Sequence, residues 1–196
     1  MNSRTLKKWA ANGSRWLHIY LSMVSFAIVF FFAATGITLN HPDWFGASIQ
    51  RTAMHKGSLP ADWLREPKKL EVVEALRSRH GVRGALSDFR VEDQQCAVSF
   101  KGPGYTADTF VDRATGAYQL TVTTMGLVAV LNDLHKGRDT GKRWAWVIDL
   151  SAALLVLVSM TGMILLWFVH KRRVSGYAIA LLGLAISYLS YLWSVP

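Results

Sequence analysis

Residues 17–39 read LHIYLSMVSFAIVFFFAATGITL, a stretch of 23 residues without a Lys, Arg, Asp or Glu. As an α-helix this stretch would be about 35 Å long, which is enough to cross the hydrocarbon core of a bilayer. A cleaved signal peptide is the alternative, because residues 1–16 are basic and small residues lie near the end of the stretch. The apolar run is longer than the usual core of a signal peptide, so we expect an uncleaved transmembrane helix.

Two further apolar segments lie near the end of the chain. Residues 142–170 form the second predicted span, whose first turns carry tryptophans of the kind found at membrane interfaces. Residues 175–194 form the third, and only residues 171–174 connect the two, which predicts an antiparallel helical hairpin. The predicted fold class is a membrane protein of three transmembrane α-helices. A small α+β domain, residues 40–141, is inserted between the first and the second.

The charges are distributed along the chain in a way that predicts its orientation. The net charge is +9, yet all 13 acidic residues lie between Asp43 and Asp149, where basic residues nearly balance them. The excess positive charge flanks the predicted spans and consists of Arg4, Lys7, Lys8, Arg15, Lys171, Arg172 and Arg173. Because basic flanks stay in the cytoplasm, we expect a cytoplasmic N-terminus, with the inserted domain and the C-terminus on the opposite side. Nucleic-acid binding, another common reason for a basic chain, is not expected.

Several classes of protein are disfavoured by what the sequence lacks. The single cysteine, Cys96, excludes an intrachain disulfide, and no CxxC or CxxCH motif is present for an iron–sulfur cluster or covalently attached haem. The sequence also has no glycine-rich nucleotide motif, no serine-nucleophile motif and no HExxH. Hydrolase and dehydrogenase functions therefore have no support, and no catalytic residue is predicted.

Hydrophobic periodicity predicts that the inserted domain is one helix packed on a small antiparallel sheet. The helical pattern ends at Gly81, the usual residue type for a C-cap. The predicted strands are residues 97–100, 110–111 and 118–122, with residues 86–91 as a further candidate and a turn at residues 112–116. The predicted core consists of Leu70, Val73, Leu76, Phe100, Val111 and Leu120.

Four histidines lie at the ends of the first two predicted spans. A neutral imidazole at a helix end is the usual axial ligand of non-covalent haem. His18 and His41 flank the first span, whereas His135 and His170 flank the second in the reverse order. If the two spans pack antiparallel, His41 approaches His135 and His18 approaches His170, so each pair is a candidate to hold one haem b. The alternative is that these are ordinary interfacial histidines, each with an apolar body and a polar tip.

Three other ionisable residues have structural interpretations. His55 and His80 lie in the inserted domain among Lys and Arg, so they are expected to be surface residues. Asp149 falls inside the second span, where a carboxylate needs a partner, and His135 or Lys142 is the candidate. We expect Asp149 to make a structural hydrogen bond and not to act in catalysis.

The small and polar residues near the predicted spans have two interpretations each. Gly36 in the first span, and Ser159 and Gly162 in the second, admit either close packing of helices or the approach of a flat ring. Residues 132–141, the densest polar cluster of the chain, either cap the following helix or present donors to a haem propionate or another anion. The sequence alone leaves both alternatives open.

Four stretches make the sequence similar to a known family: Arg15–His18, Asn40–Trp44, Leu131–Arg138 and Trp146–Asp149. They resemble the PepSY-associated transmembrane helix family in its short three-span form, and the resemblance covers nearly the whole chain. It implies a bacterial inner-membrane protein whose inserted region is a periplasmic PepSY domain. The stretch from Asn132 to Gly137 is the most specific part of the resemblance.

The resemblance also bears on the histidines. Longer members of the family include haem-binding ferric-siderophore reductases, which move electrons across the membrane to release iron. His18, His41 and His135 match histidines of the family motifs, whereas His170 stands where the family more often has an aromatic or apolar residue. This chain is about half as long as those reductases and lacks their additional span.

Two functions from different classes follow. The first is a b-type haem protein of the inner membrane that delivers electrons to a periplasmic ferric chelate, such as a ferric siderophore, or to a redox partner protein. The second is a non-catalytic accessory protein whose PepSY domain binds or regulates a periplasmic or membrane partner. Both imply contact with membrane lipid, and whether the chain is an enzyme is left open.

Overall fold

The computed structural model of the protein describes residues 3–46, 48–65 and 68–195. Its helices are α1 (Ser3–Asn40), α2 (Asp62–Arg65), α3 (Lys69–His80), α4 (Leu127–Lys136), α5 (Gly141–Phe168) and α6 (Arg173–Ser194). Its strands are β1 (Gln50–Ser58), β2 (Ala85–Val91), β3 (Gln95–Gly102), β4 (Tyr105–Asp112) and β5 (Ala117–Met125). The chain divides into two compact units, Met1–Phe30 with Asp149–Pro196, and Phe31–Ile148.

Three helices are long and apolar enough to cross a membrane, as the sequence predicts. The candidate spans are Lys8–Asn40, Gly141–Phe168 and Arg173–Ser194, with mean hydropathies of 2.1, 2.2 and 1.5. Most of their large apolar side chains are exposed, and α6 buries none of its described residues. An apolar surface of this extent is unstable in water, so the protein is a multi-pass membrane protein.

The first helix begins earlier than the sequence predicts. α1 starts at Ser3 and contains 38 residues, so it is about 57 Å long, nearly twice the thickness of a hydrocarbon core. The residues before position 17 contain no proline, and Gly13 alone does not stop a helix. The basic first turns of α1 therefore extend the helix beyond the part that lipid tails would cover.

Within the first unit, α5 and α6 contact each other next to their short connection. The Tyr177 hydroxyl donates to the Met163 carbonyl at 3.2 Å, and the Arg173 guanidinium lies 4.9 Å from the centre of the Trp167 ring. Residue numbers fall along α5 as they rise along α6, which is the pattern of the predicted antiparallel hairpin.

The second unit contains a five-stranded antiparallel sheet with the strand order β1-β5-β4-β3-β2. Strands β2 to β5 are found where the sequence predicts them, each extending beyond the predicted residues. Helix α3 ends at Gly81, whose φ of 63° is left-handed and whose N–H donates to the Arg77 carbonyl, so the predicted C-cap is confirmed.

Strand β1 is the element of the sheet that was not predicted. It pairs with β5 over its whole length, from Gln50 opposite Met125 to Ser58 opposite Ala117. All nine residues of β1 are exposed, because the strand lies at the edge of the sheet. Without a buried side, its sequence shows no alternation of apolar and polar residues.

The core of the sheet domain lies between α3 and one face of the sheet. Five of the predicted core residues are buried, namely Val73, Leu76, Phe100, Val111 and Leu120. The prediction for Leu70 is wrong, since its side chain is 69% exposed, and Val72 is buried instead. On a helical projection position 70 points about 110° away from the face shared by positions 72, 73 and 76.

Cys96 is part of this core. Its side chain is 1% exposed, and burial raises the pKa of the thiol above its usual range. The thiol is therefore protonated at neutral pH and packs as a small apolar group.

Replacing Leu76 with Asp should unfold or loosen the sheet domain, because the fully buried position offers a carboxylate no partner. We expect the free energy of unfolding to fall by several kcal/mol, on the order of 3–5 kcal/mol. Limited proteolysis of the detergent-purified protein should then show faster cleavage between residues 43 and 130. Leu70→Asp is the matched control, since it places the same charge on the exposed side of α3. Equal resistance of the two variants would contradict the assignment of the core.

Candidate functional site

His135, in the last turn of α4, makes a polar contact with α1. Its Nδ1 lies 2.6 Å from the Thr35 hydroxyl of α1, and Thr35 is itself buried. The ring lies edge-on to Phe32, with 5.0 Å between ring centres. A Cβ placed on Gly36 would lie 3.9 Å from His135 Cε1, an ordinary van der Waals distance, so the ring lies beside this glycine. His135 is thus held against α1 by one hydrogen bond and one aromatic contact.

The hydrogen bonds around Thr35 determine where the imidazole proton is. The Thr35 hydroxyl lies 2.6 Å from the carbonyl oxygen of Phe31, which can only accept. The hydroxyl proton therefore goes to Phe31, and Thr35 Oγ1 accepts the N–H of His135 Nδ1. Because the proton of a neutral imidazole is then on Nδ1, Nε2 carries a lone pair. The described residues make no hydrogen bond to this Nε2.

His18 of α1 has the same arrangement in the first unit. Its Nδ1 lies 3.2 Å from the Val158 carbonyl and 3.0 Å from the Thr161 hydroxyl of α5. A carbonyl oxygen only accepts, and the Thr161 hydroxyl donates to the same Val158 oxygen at 2.9 Å, so His18 Nδ1 is again the donor. A Cβ on Gly162 would lie 3.1 Å from His18 Cε1, closer than almost any side chain tolerates. Nε2 of His18 also lacks a hydrogen bond from the part of the chain that the structure describes.

The two histidines therefore lie against the same dipeptide, Thr35-Gly36 for His135 and Thr161-Gly162 for His18. The buried threonine fixes the proton on Nδ1, and at Gly162 the absence of a side chain leaves room for the ring. The sequence predicts that Gly36 and Gly162 admit a flat ring, but it makes no prediction for the threonines before them. The repeated Thr-Gly pair in two apolar helices was the signal available in the sequence.

The residues next to His135 attach α4 to the rest of its unit. The Thr38 hydroxyl donates to Asn132 Oδ1 at 2.6 Å, and the Gly104 N–H donates to Asp133 Oδ2 at 2.9 Å. The other Asp133 oxygen lies 3.7 Å from an Arg138 nitrogen. The stretch from Asn132 to Arg138 thus joins the end of α1, the β3–β4 turn and α4. Helix α4 was not predicted, although its end at a left-handed Gly137 follows the usual rule.

A cleft of about 340 Å³ lies beside this stretch. Its lining includes three cationic side chains, Lys101, Lys136 and Arg138, together with Asp133 and Asp139. The Asp133 carboxylate is already bonded to Gly104 and close to Arg138, so the cleft retains an excess of positive charge. It is the feature of this unit best suited to an anion.

A larger depression, of about 820 Å³, lies elsewhere on the sheet domain. Its lining includes Lys56, Phe110 and Gln119, and no histidine. A large volume alone does not identify a functional site. The polar contacts of the histidines are the stronger indication of one.

The remaining predicted ligands of the spans are placed as follows. His41 comes just after α1, and its ring stacks on Trp44 with 3.8 Å between ring centres. The side chain of His170 lies outside the described residues. Asp149 lies on α5 with its side chain exposed, and the expectation that His135 or Lys142 is its partner stays a prediction.

His55 and His80 of the sheet domain lie next to each other, with 4.9 Å between ring centres. His55 is exposed, as expected, but His80 is partly buried and its Nε2 lies 2.7 Å from the Tyr118 hydroxyl. Desolvation, followed by the positive charges of His55 and Arg79, lowers the pKa of His80 below its usual value. His80 is therefore a partly buried, hydrogen-bonded residue and not the solvated surface residue that the sequence predicts.

Nitrogen chemical shifts of the imidazoles should test the assigned tautomer. In protein labelled with [¹⁵N]histidine, His18 and His135 should both give the pattern of a protonated Nδ1 and an unprotonated Nε2. Thr35→Val removes the acceptor of His135 Nδ1, so the His135 signals should move towards the mixture seen for free histidine, with those of His18 unchanged. Thr35→Ser retains the hydroxyl and should retain the wild-type signals. A protonated Nε2 on His135 in the wild type would contradict the assignment.

Comparison with known proteins supports the resemblance seen in the motifs. The family model described as "Putative PepSY_TM-like" matches residues 12–196. No curated protein and no solved structure matches the chain. The match begins before His18 and includes both Thr-Gly pairs, α4, the second and third candidate spans and all but the first four residues of the first. The chain therefore belongs to the PepSY_TM-like family.

Proposed function

We propose that this protein is a b-type haem protein of the bacterial inner membrane that transfers electrons to a periplasmic ferric chelate or redox partner. The observation that carries the proposal is the shared state of His18 and His135, with Nδ1–H bonded to a threonine and Nε2 free. An axial histidine of haem binds iron through one ring nitrogen and donates the other N–H to a protein oxygen. The donor atoms present therefore fit haem b.

The two Thr-Gly pairs hold the histidines in the tautomer and orientation that iron binding requires. Thr35 and Thr161 keep the proton on Nδ1, so no proton has to leave Nε2 before it binds iron. The hydrogen bond also fixes the orientation of the ring, and it makes the imidazole a stronger donor. His41 and His170 are the proposed second ligands, His41 with His135 and His170 with His18. Haem bound there would supply one-electron chemistry between ferric and ferrous iron.

The cationic cleft provides a binding surface for the negative groups of this system. Lys101, Lys136 and Arg138 line it, and Lys136 follows His135 directly in the chain. Haem propionates and ferric chelates of the siderophore class carry carboxylate or other anionic oxygens, which bind cationic side chains by charge-assisted hydrogen bonds. We assign this cleft to the propionates or to the anionic chelate.

The placement in the inner membrane is supported by charge. Basic residues precede the first candidate span and separate the second from the third, which favours a cytoplasmic location of both segments. The sheet domain and the C-terminus would then be periplasmic. Electrons would enter from the membrane or the cytoplasm and leave on the side of the sheet domain.

A second candidate function rests on a different observation. One face of the sheet is packed against α3, whereas Phe110 and Met54 on the opposite face are 56% and 60% exposed. This exposed face, beside the large depression, is a suitable surface for another protein. An accessory protein that binds or regulates a partner through its sheet domain needs no haem, so the presence of haem distinguishes the two functions.

The spectrum of the purified protein tests the haem proposal. Protein made in haem-replete cells should show the sharp reduced-minus-oxidised bands of six-coordinate haem b, and His135→Ala should abolish or shift them because an axial ligand is lost. His55→Ala is the matched control and should leave the bands unchanged. Absence of haem from the wild type, or bands unaltered after loss of both His41 and His135, would favour the accessory function.

Reporter fusions test the orientation. Alkaline phosphatase fused to the C-terminus should be active, because this enzyme requires the periplasm for folding. The same reporter inserted in the connection between α5 and α6, at residues 171–172, should be inactive because that connection would be cytoplasmic. The opposite pair of results would invert the proposed topology.

A further inference from the structure

The imidazoles of His55 and His80 form a pair outside the candidate membrane spans. Their ring centres are 4.9 Å apart, and the ring planes are tilted by 31°. His55 lies in the middle of β1, and His80 is the last residue of α3. Neither residue is used by the proposed haem function, so the pair needs its own explanation.

Both rings are attached to backbone that is firmly held. β1 pairs with β5 along its full length, with His55 opposite Leu120. The end of α3 is fixed to β1, because Arg79 donates to the Ser58 carbonyl at 2.6 Å. A pair of side chains on a strand and a helix end is positioned more precisely than a pair on flexible loops.

Tyr118 supports one member of the pair. Its hydroxyl lies 2.7 Å from His80 Nε2, and the tyrosine ring passes over Gly57, where a Cβ would come within 2.5 Å of the hydroxyl oxygen. The bond to Tyr118 occupies Nε2 and leaves Nδ1 of His80 for another partner. A hydrogen bond on the second ring nitrogen is what a metal-binding histidine usually has.

The chemistry of the pair favours one class of ligand. Imidazole nitrogens bind late divalent transition metals such as Cu²⁺, Ni²⁺ and Zn²⁺ in preference to Mg²⁺ or Ca²⁺, and Cu²⁺ binds most strongly. Metal–nitrogen bonds of about 2.0–2.1 Å place two ligand nitrogens roughly 3 Å apart. A distance of 4.9 Å between ring centres is compatible with that separation of the ligand nitrogens.

We propose that His55 and His80 form a two-imidazole binding site for Cu²⁺ or a similar late divalent transition metal on the sheet domain. Among the described residues no group of three or more His, Cys, Asp and Glu surrounds this or any other point. We expect water to fill the remaining coordination positions, which would make the site open and its metal exchangeable. This inference does not depend on the haem proposal.

Cu²⁺ titration of the full-length protein, purified in detergent without a histidine tag, tests the site. Electron paramagnetic resonance should show Cu²⁺ coupled to two ligand nitrogens at one equivalent, and His55→Ala should weaken this binding at least tenfold. His80→Ala should do the same. Lys56→Ala, a neighbour on the same strand, should bind Cu²⁺ like the wild type. Tyr118→Phe keeps both imidazoles and should weaken binding by roughly 10- to 100-fold without removing the two-nitrogen signal.

His55→Ala is the decisive variant, because His55 is exposed and its replacement should leave the fold intact. Wild-type affinity for Cu²⁺ in His55→Ala, or a Cu²⁺ signal without two-nitrogen coupling in the wild type, would overturn the proposal. The visible spectrum, recorded on the same samples, distinguishes this site from haem. Loss of Cu²⁺ binding with unchanged haem bands supports the metal site, whatever the fate of the haem proposal.

Discussion

A hydroxyl group inside an apolar helix has few partners for its proton, and the nearest is a carbonyl of its own helix one turn earlier. Thr35 and Thr161 both follow this constraint, donating to Phe31 and Val158. Once the proton is engaged there, the hydroxyl oxygen can only accept. Any histidine that approaches it must bring an N–H, so the helix sets the tautomer of the ring.

This constraint links the sequence to the chemistry of the site. Next to Thr161, Gly162 also leaves room for the imidazole, because a Cβ there would lie 3.1 Å from His18 Cε1. The Asn132–Arg138 stretch then supplies the second condition, because its bonds to Thr38 and Gly104 hold α4 where His135 reaches Thr35. The proton location on His135 thus depends on contacts that are made by its neighbours. Loss of either of these bonds would affect the His135 ring, although neither bond involves that ring.

The parts of the fold predicted from sequence are those with a strong periodic or compositional signal. The three apolar helices, the helix ending at Gly81 and four of the five strands all have such a signal, and the structure contains them. Strand β1 lacks one because it buries nothing. The prediction for Leu70 failed because five apolar residues among positions 70–76 do not define which side of a short helix faces the sheet.

The candidate site was predicted less completely. The sequence identified His18 and His135 because they lie at the ends of predicted spans. It did not identify their partners, because hydrogen bonds between residues 100 or more positions apart leave no local pattern. The sequence left open whether the polar stretch at residues 132–141 caps a helix or binds a ligand. In the structure Asn132 and Asp133 make internal bonds and Lys136 and Arg138 line the cleft, so ligand binding by this stretch stays a prediction.

The burial of Cys96 makes the natural chain chemically silent towards thiol reagents. With its side chain 1% exposed and its thiol kept protonated by the surrounding core, the folded protein offers this cysteine to neither oxidants nor maleimides. A cysteine introduced on any exposed residue would thus be the first to react. The unmodified sequence is therefore a ready background for site-by-site accessibility labelling in intact cells, with no need to remove its own cysteine beforehand.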